Sequence, residues 1–591
     1  MSTNGRNEKY LFWASFFTLI AAGMGASIRG DILADWGSQF GFTQTELGQI
    51  TGMGLAGFGL TIILFSFFAD SLGYGKLMIV AFTLHVLAVV TTLLAPLVFK
   101  SSGKAGAYWC FYLGQLFFSL ANGTCEAVIN PLTASLYPKN KTHWLNILHA
   151  GWPGGLVLGA LVSLGLNQIG GISWEMRWGI ILLPMILYGG LMIGRPFPKS
   201  EAKLSGVTVR GMMKVVGFIG FAVVTALLGL WLSQDITAIG LPSIAGWICA
   251  LGIWFLYGIV TGFSPGHILL TTLYICHALI GYVELGTDNW IIDITKTVLA
   301  NKDRALMAFI WTNVLMFTLR FFAGPIVHRI SPLGLLFVSA ILGSCGLLML
   351  GLPFTDGMIM WMLAVTVYGI GKTFYWPTML GVVSERYPKG GALALGFSGG
   401  IGMLSAGLLG APGIGYKQDH FAVEKLQSSP ETYDRYKSMK EKKNDKGDVE
   451  KDASGHPILE NDERGFLDFT GLFPKVTGLD GAKVGVLLGD PGEGNGKGAR
   501  LEADIKTLTD KGGTLANDQN LAHLNEWWNT EGKPYAEQDT KPLQDAQFYG
   551  KKKALLITAA IPGTLALFYL LVIFYFRAIG GYRQVHIDDP H

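Results

Sequence analysis

The chain has 591 residues and a formal net charge of +3, and 50% of its side chains are hydrophobic while only 15% are charged. This balance excludes an ordinary soluble globular protein, which would lack the polar surface to cover its core. Repeated apolar stretches of roughly 20 residues match a bilayer core of roughly 30 Å, which a helix crosses at about 1.5 Å per residue. Without the strict alternation of barrel strands, helices are the expected membrane-spanning elements.

Apolar segments bounded by charges, prolines or glycines predict the membrane spans. The fourteen predicted spans are 11–37, 46–68, 77–98, 107–134, 145–167, 178–194, 211–232, 243–262, 267–291, 306–328, 333–353, 358–382, 391–412 and 554–577. Lys and Arg are more frequent in the connections that an inside N-terminus would place in the cytoplasm. The sequence therefore predicts a multi-pass protein of the plasma (inner) membrane with both termini cytoplasmic.

The predicted spans divide into two halves of six helices each. Residues 1–194 form the N-terminal six-helix bundle, and 195–266 form a basic cytoplasmic linker with two extra helices. Residues 267–416 supply the first five helices of the C-terminal bundle, and 553–591 supply the last helix and a cytoplasmic tail. Between them, 417–552 is a polar insertion with 20 basic and 25 acidic residues, expected outside the cytoplasm as a partly folded cap.

An internal repeat relates the two halves. Each copy has an ionisable residue, a proline five residues later and a Tyr-Pro pair ahead of a Gly-rich span, and the copies begin at Glu126 and Lys372. Pseudo-symmetry of this kind is expected to turn both side chains towards a central cavity. A lysine there needs an acid as partner, and Glu126, Asp31 and Glu284 are the candidates.

The connection after the second span has the sequence Ala-Asp-Ser-Leu-Gly-Tyr-Gly-Lys over 69–76. It resembles the signature of the major facilitator superfamily between helices two and three, in which an aspartate, a glycine turn and a cation lock a cytoplasmic gate. The resemblance assigns gating to Asp70, Gly73 and Lys76. It implies an all-α membrane protein with the major facilitator fold, in which two six-helix bundles and two extra central helices give about 14 transmembrane helices.

Three spans resemble the fucose:proton symporter (sugar porter) family. The segments are Gly-Thr-Cys-Glu-Ala-Val-Ile-Asn-Pro over 123–131, Trp-Pro-Gly-Gly over 152–155 and the Gly-Asp pair at Asp31. By this resemblance Asp31 and Glu126 would be the proton-coupling and sugar-binding acids. The family's polar residues in span five are replaced here by His149 and Trp152, so the particular sugar stays open.

Ionisable side chains inside membrane helices are retained mainly where they face a cavity or a partner. Each could instead form a structural ion pair. Aromatic faces beside such groups could stack on a sugar ring. The predicted proton-coupling and substrate-binding residues are Asp31, Glu126, Lys372, Glu284, Arg29, His149, Trp152, Asn130, Trp376 and Tyr375. Asp288 and Arg320 complete the intramembrane ionisable set and are equally well explained as ion pairs.

These features predict a secondary active transporter that moves a small polar solute, a sugar or sugar acid, by proton-coupled symport with alternating access. No nucleophile and base stand at a spacing that indicates an enzyme, and no His or Cys cluster has metal spacing. No cofactor beyond the proton gradient is expected, and sodium stays an open alternative. The solute and the lipid bilayer are the expected partners of a monomer that binds no nucleic acid.

Three alternative functions stay open. A drug:proton antiporter has the same fold, although its span-five motif usually has Gly-Pro where this chain has Trp152-Pro153. An organic-anion carrier would use the cations Arg29 and Lys372. A non-transporting receptor would sense its solute through the polar insertion.

The topology predicts that the insertion lies outside the cell, because it follows thirteen predicted spans. Its stretch 430–465 is expected to be flexible. A cysteine introduced at Ser454 or Asn517 should therefore react with an impermeant thiol reagent in intact cells. Labelling before and after lysis measures this, and labelling only after lysis would show that the span count is wrong by one.

Overall fold

The computed structural model describes residues 3–42, 44–442, 444, 449–452, 458–467, 473–489, 497–510, 514–515 and 518–587. Its first ten helices are α1 (Thr3–Phe40), α2 (Gln44–Leu72), α3 (Tyr74–Leu93), α4 (Ala95–Leu136), α5 (Lys141–Ile169), α6 (Trp174–Gly179), α7 (Leu182–Met192), α8 (Glu201–Leu204), α9 (Val209–Asp235) and α10 (Ser243–Thr261). Gly73 joins α2 to α3 with a φ of 89°, a conformation that only glycine adopts readily. The chain therefore reverses its direction within a single residue.

The rest of the chain is also mainly helical. The remaining helices are α11 (Ile268–Leu299), α12 (Lys302–Arg320), α13 (Ala323–Gly351), α14 (Met358–Lys372), α15 (Tyr375–Arg386), α16 (Gly391–Ser405), α17 (Ala411–Leu426), α18 (Pro430–Tyr436), α19 (Gly481–Leu488), α20 (Ala499–Asp510), α21 (Gln519–Trp527), α22 (Ala536–Thr558) and α23 (Ala560–Ala578). Six predicted spans run across a break between two helices. They are 77–98 (α3 to α4), 178–194 (α6 to α7), 306–328 (α12 to α13), 358–382 (α14 to α15), 391–412 (α16 to α17) and 554–577 (α22 to α23).

The predicted spans all lie on helices. Within the part of the chain that the structure describes, ten helices are long and apolar enough to cross a membrane, and they match ten of the predicted spans. The other four predicted spans lie on α2, α4, α7 and α12 with their neighbours. The all-helical membrane architecture expected from the sequence is therefore confirmed.

The two extra helices, α9 and α10, pair through stacked aromatic rings. The ring centroids of Phe221 and Tyr257 lie 4.0 Å apart, and those of Phe218 and Trp254 lie 4.2 Å apart. Phe221 also contacts the ring of Phe397 on α16 at 5.6 Å. Aromatic pairs of this kind add to the stabilisation that buried area provides. The helix pair is thereby attached to the C-terminal half.

The polar insertion has a hydrophobic core of its own. Two helices, α17 and α22, lie side by side and connect it to the bundle, and a Cβ on Gly550 would lie only 2.5 Å from the carbonyl oxygen of Gln418. Short antiparallel pairs form between β1 (Met439–Glu441) and β2 (Leu459–Asn461) and between β3 (Glu463–Arg464) and β4 (Val476–Thr477). The buried core contains Tyr436, Val484, Leu487, Leu501, Trp527, Trp528 and Leu543.

Part of the stretch predicted to be flexible is ordered. Residues 430–436 form α18, and the side chain of Tyr436 is fully buried against the ring of Trp527, with centroids 5.2 Å apart. The polar sequence around Tyr436 hides this contact because its partner lies far away along the chain. The labelling positions Ser454 and Asn517 lie outside the described residues.

A buried ion pair should stabilise the insertion. Asp539 is fully buried and accepts hydrogen bonds from the Arg435 guanidinium at 2.6 and 2.8 Å, which raises the pKa of Arg435. The substitution Arg435→Ala leaves this carboxylate buried without a cation, so we expect a loss of about 3 kcal/mol in stability. Thermal unfolding and protease cleavage of the insertion measure it. Lys437→Ala is the matched control, since Lys437 pairs with an exposed Asp434 and should cost less than about 1 kcal/mol.

Candidate functional site

The turn between α2 and α3 connects the two halves. Asp70 is 5% exposed, and its Oδ1 accepts a hydrogen bond from the Tyr74 hydroxyl while its Oδ2 accepts one from the backbone N–H of Ala392, both at 3.0 Å. Ala392 lies in the first turn of α16, where N–H groups lack helical partners and carry partial positive charge. Asp70 therefore caps a helix of the opposite half. Of the other predicted gating residues, Gly73 forms the turn, and Lys76 is exposed with no ion pair to a described residue.

A stripe of side chains on α5 also reaches the other half. Thr142, Asn146 and His149 have the spacing i, i+4, i+7 and lie on one face of the helix. Thr142 donates to Oε1 of Glu385 from its backbone N–H at 3.2 Å and from its hydroxyl at 2.6 Å. The Asn146 amide donates to the Thr378 hydroxyl at 3.1 Å. The backbone carbonyl of His149 accepts a hydrogen bond from Arg320 of α12.

The segment after α23 crosses the same end of the bundle. The Tyr582 hydroxyl donates to Oε2 of Glu385 at 2.8 Å, and the Gln584 amide donates to the Pro138 carbonyl at 2.6 Å. We call the end of the bundle around Glu385 the closed end. Among the described residues, the side-chain hydrogen bonds between the two halves all lie there or at the level of His149. Sequence reasoning missed Glu385, although it stands just before the second Tyr-Pro pair of the repeat.

Three of the predicted site residues form one chain of hydrogen bonds in the N-terminal half. The Asn130 amide donates to Oε2 of Glu126, one turn away on α4, at 2.6 Å. Its Oδ1 lies 2.9 Å from Nε2 of His149 on α5. Since Oδ1 can only accept, Nε2 of His149 is the donor. All three side chains are more than nine-tenths buried.

The C-terminal half contributes two ion pairs. Glu284 and Asp288 lie one turn apart on α11, where Arg320 donates to Oε1 of Glu284 at 3.3 Å and Lys372 pairs with Asp288. The partner of Lys372 is therefore none of the three acids expected from the sequence, because Arg320 already occupies Glu284. Arg320 also donates to the backbone carbonyl of His149 at 2.6 Å. The networks of the two halves thus meet at one guanidinium.

Asp31 belongs to a separate ion cluster on α1. Arg177 of α6 donates to Oδ2 of Asp31 at 2.8 Å and also pairs with Asp35, and the Asn167 amide donates to Oδ1 of Asp31 at 3.1 Å. No hydrogen bond or ion pair of the described residues connects this cluster to Glu126. Sequence reasoning missed Arg177, because it lies one residue before the predicted start of the sixth span.

Arg29 lies near α4. Its guanidinium donates to Oε1 of Gln115 at 3.1 Å, and its side chain is half-buried. No carboxylate of the described residues comes within ion-pair distance of it. A cation in this position is suited to contact an anionic or hydroxyl-rich solute.

The predicted aromatic residues differ in their surroundings. Tyr375 is fully buried, and its hydroxyl donates to the Ser339 carbonyl of α13 at 3.1 Å, within the C-terminal half. Trp376 packs edge-on against His277, with ring centroids 4.6 Å apart. Trp152 is half-buried on α5. Trp152 therefore keeps exposed surface for a solute, whereas Tyr375 and Trp376, which is only 6% exposed, take part in packing within the C-terminal half.

Metal ligands do not gather in the part of the chain that is described. No group of three or more His, Cys, Asp or Glu side chains there is placed to hold a metal ion. The five cysteines are free thiols.

A sequence model described as the Major Facilitator Superfamily matches residues 11–411 of the chain. A search of curated protein sequences finds no match. Solved structures with similar folds include the proton:xylose symporter XylE bound to 6-bromo-6-deoxy-D-glucose. It is 16% identical with a TM-score of 0.51, and the alignment covers 68% of this chain and 87% of that one.

Two further solved structures are similar. The transporter FucP in its outward conformation is 15% identical with a TM-score of 0.50, and the alignment covers 70% of this chain and 92% of that one. A bacterial homologue of the human lysosomal transporter Spinster, inward-facing and unoccupied, is 13% identical with a TM-score of 0.50, and 96% of each chain is covered. At these identities the likeness shows the fold.

The ion pair of Lys372 and Asp288 gives a prediction. Lys372→Ala leaves the largely buried Asp288 carboxylate without its cation. We therefore expect the protein to lose about 3 kcal/mol of stability and most of its transport activity. Adding Asp288→Asn removes the stranded charge and should restore the stability in large part. Thermal unfolding of the purified variants measures the effect. A double variant as unstable as Lys372→Ala would contradict a pairing role.

Proposed function

The chain belongs to the Major Facilitator Superfamily, and we propose that it is a secondary active transporter that moves a small polar solute, a sugar, in symport with protons. The feature behind this proposal is the buried network in which Glu126 and His149 of one half meet Arg320 and Glu284 of the other. Ionisable groups are expensive inside a membrane and mark solute and ion pathways. Secondary transporters of this kind place such sites at the interface of their repeats.

A sugar suits the chemistry of this network. Its hydroxyl groups donate and accept hydrogen bonds, and carboxylate, amide and imidazole groups offer partners of both kinds. Oε2 of Glu284 is buried without a hydrogen-bond partner among the described residues. It is a ready acceptor for a solute hydroxyl. The likeness to a proton:xylose symporter supports the same solute class.

Protons are the proposed coupling ion. Glu126 and Glu284 would each lose a negative charge by taking up a proton. The free-energy cost of enclosing the site while it changes the side of the membrane to which it opens would then be lower. The Asp31 side chain is 24% exposed, and Asp31 lies in the part of α1 that is remote from the closed end. We therefore propose that Asp31 is the acid that first binds the entering proton. A sodium ion would instead use carboxylate and backbone oxygens.

The arrangement of the halves supports alternating access. Hydrogen bonds join them at the closed end, through Asp70, Thr142 and Glu385. With this end cytoplasmic, as the topology predicts, the site would open towards the outside. We propose that the protein works in this way as a monomer in the plasma (inner) membrane with both termini cytoplasmic.

A sugar acid is a second candidate solute. Arg29 has a hydrogen bond to Gln115 but no carboxylate partner among the residues described. A bound carboxylate would complete its pairing. In that case Arg29→Gln should raise the apparent Michaelis constant for a sugar acid without changing that for a neutral sugar.

Uptake into proteoliposomes tests the function directly. Purified protein in vesicles is offered labelled pentoses, hexoses and sugar acids under an imposed pH gradient, and separately under a sodium gradient. Accumulation of a sugar driven only by the pH gradient supports the proposal. Accumulation driven by sodium would replace the ion, and no accumulation of any sugar would reject the solute class.

The role of Glu126 gives a prediction. Glu126→Gln keeps the size of the side chain but removes the titrating carboxylate, so sugar should reach equal concentrations on both sides and no more. Exchange of sugar without a gradient should continue. Glu46→Gln is the matched control, because Glu46 forms an ion pair with Lys104 that is partly exposed. Full accumulation by the Glu126→Gln protein would remove Glu126 from coupling.

A further inference from the structure

Arg320 makes an unusual set of contacts. Its side chain is 2% exposed, and its three nitrogens bind three different elements. Nε donates to the backbone carbonyl of Thr373 at 2.8 Å, and one terminal nitrogen donates to the backbone carbonyl of His149 at 2.6 Å. The other terminal nitrogen reaches Glu284 at 3.3 Å, the longest of the three. The shortest contacts of this cation are therefore made with neutral backbone oxygens.

Both carbonyls precede a proline by four residues. Pro153 follows His149 at i+4 on α5, and Pro377 follows Thr373 at i+4 where α14 gives way to α15. Proline has no N–H, so each carbonyl lacks the donor that a regular helix would supply. A buried carbonyl without a donor is destabilising. Arg320 supplies the donor for both.

The two carbonyls belong to different halves of the transporter. His149 lies in the N-terminal half, and Thr373 lies in the C-terminal half together with Arg320 itself. We infer that Arg320 is the positioning residue that holds the two halves together at the innermost level of the closed end, through the backbone carbonyl that Pro153 leaves free. Arg320 does this whether or not the solute is a sugar and the ion a proton.

The remaining contacts fix the guanidinium for this task. The Thr373 carbonyl and Glu284 hold two of its nitrogens within the C-terminal half. The third nitrogen is then directed across the interface to His149. Because an arginine has donors in a rigid planar fork, it can satisfy all three acceptors at once, whereas a lysine cannot.

The substitution Pro153→Ala tests the inference. It gives α5 an N–H at position 153, which can bond to the His149 carbonyl and compete with Arg320. The closed end should then open more often. Spin labels at the exposed positions Lys139 and Arg329, one in each half, report its width. In purified protein without solute, the ratio of long to short distances should rise roughly fivefold or more over wild type.

A second proline serves as the matched control. Pro131 interrupts α4 of the same half, and the carbonyl that it frees, that of Ala127, accepts no described hydrogen bond from the other half. Pro131→Ala should leave the distance distribution unchanged. If both proline variants shift the distances equally, or if neither does, Arg320 does not hold the halves together through this carbonyl.

A double-mutant cycle covers the case in which one variant folds poorly. Arg320→Gln should open the closed end by itself, and combining it with Pro153→Ala should add little, because both changes remove the same hydrogen bond. Additive shifts would overturn the inference. Solute-free distance measurements do not depend on transport, so a failure here is distinguishable from a failure of the proposed function.

Discussion

The bilayer interior offers a charged side chain neither water nor mobile counter-ions, and this constraint organises the central site. In the C-terminal half, Arg320 and Lys372 each meet an acid on α11. In the N-terminal half, Glu126 has the neutral Asn130 as its nearest hydrogen-bond partner. At the central site the two halves therefore differ: the C-terminal half has its charges balanced in pairs, and the N-terminal half has an acid hydrogen-bonded to a neutral group.

Interrupted helices place backbone groups where side chains from elsewhere can use them. A regular membrane helix satisfies all its own carbonyls, so it has nothing to offer a neighbouring helix beyond its side chains. Pro153 and Pro377 change this, since each leaves a carbonyl free for Arg320. At the closed end the converse holds: the first turn of α16 has free N–H groups, and Asp70 of the other half binds one of them. Some of the contacts between the halves thus use backbone groups that helix irregularities leave free.

The polar insertion is tied to the C-terminal half by two long helices. Because α17 and α22 leave the bundle side by side, the insertion is expected to move with that half. Lys417 strengthens the connection where these helices enter the bundle, by donating to the Tyr282 hydroxyl at 3.0 Å and the Thr558 hydroxyl at 3.1 Å. A folded unit in this position adds mass to one half without bridging to the other through any described side-chain hydrogen bond.

The sequence by itself determined the membrane class and the positions of the helical spans, because apolar length is a local property of the chain. It also picked out Glu126, Asn130 and His149, which the structure joins in one chain. Only the tertiary structure decided the partners. Asp288 pairs with Lys372, and Glu385 connects the closed end, since such pairings depend on which helix faces meet across the bundle rather than on spacing along the chain.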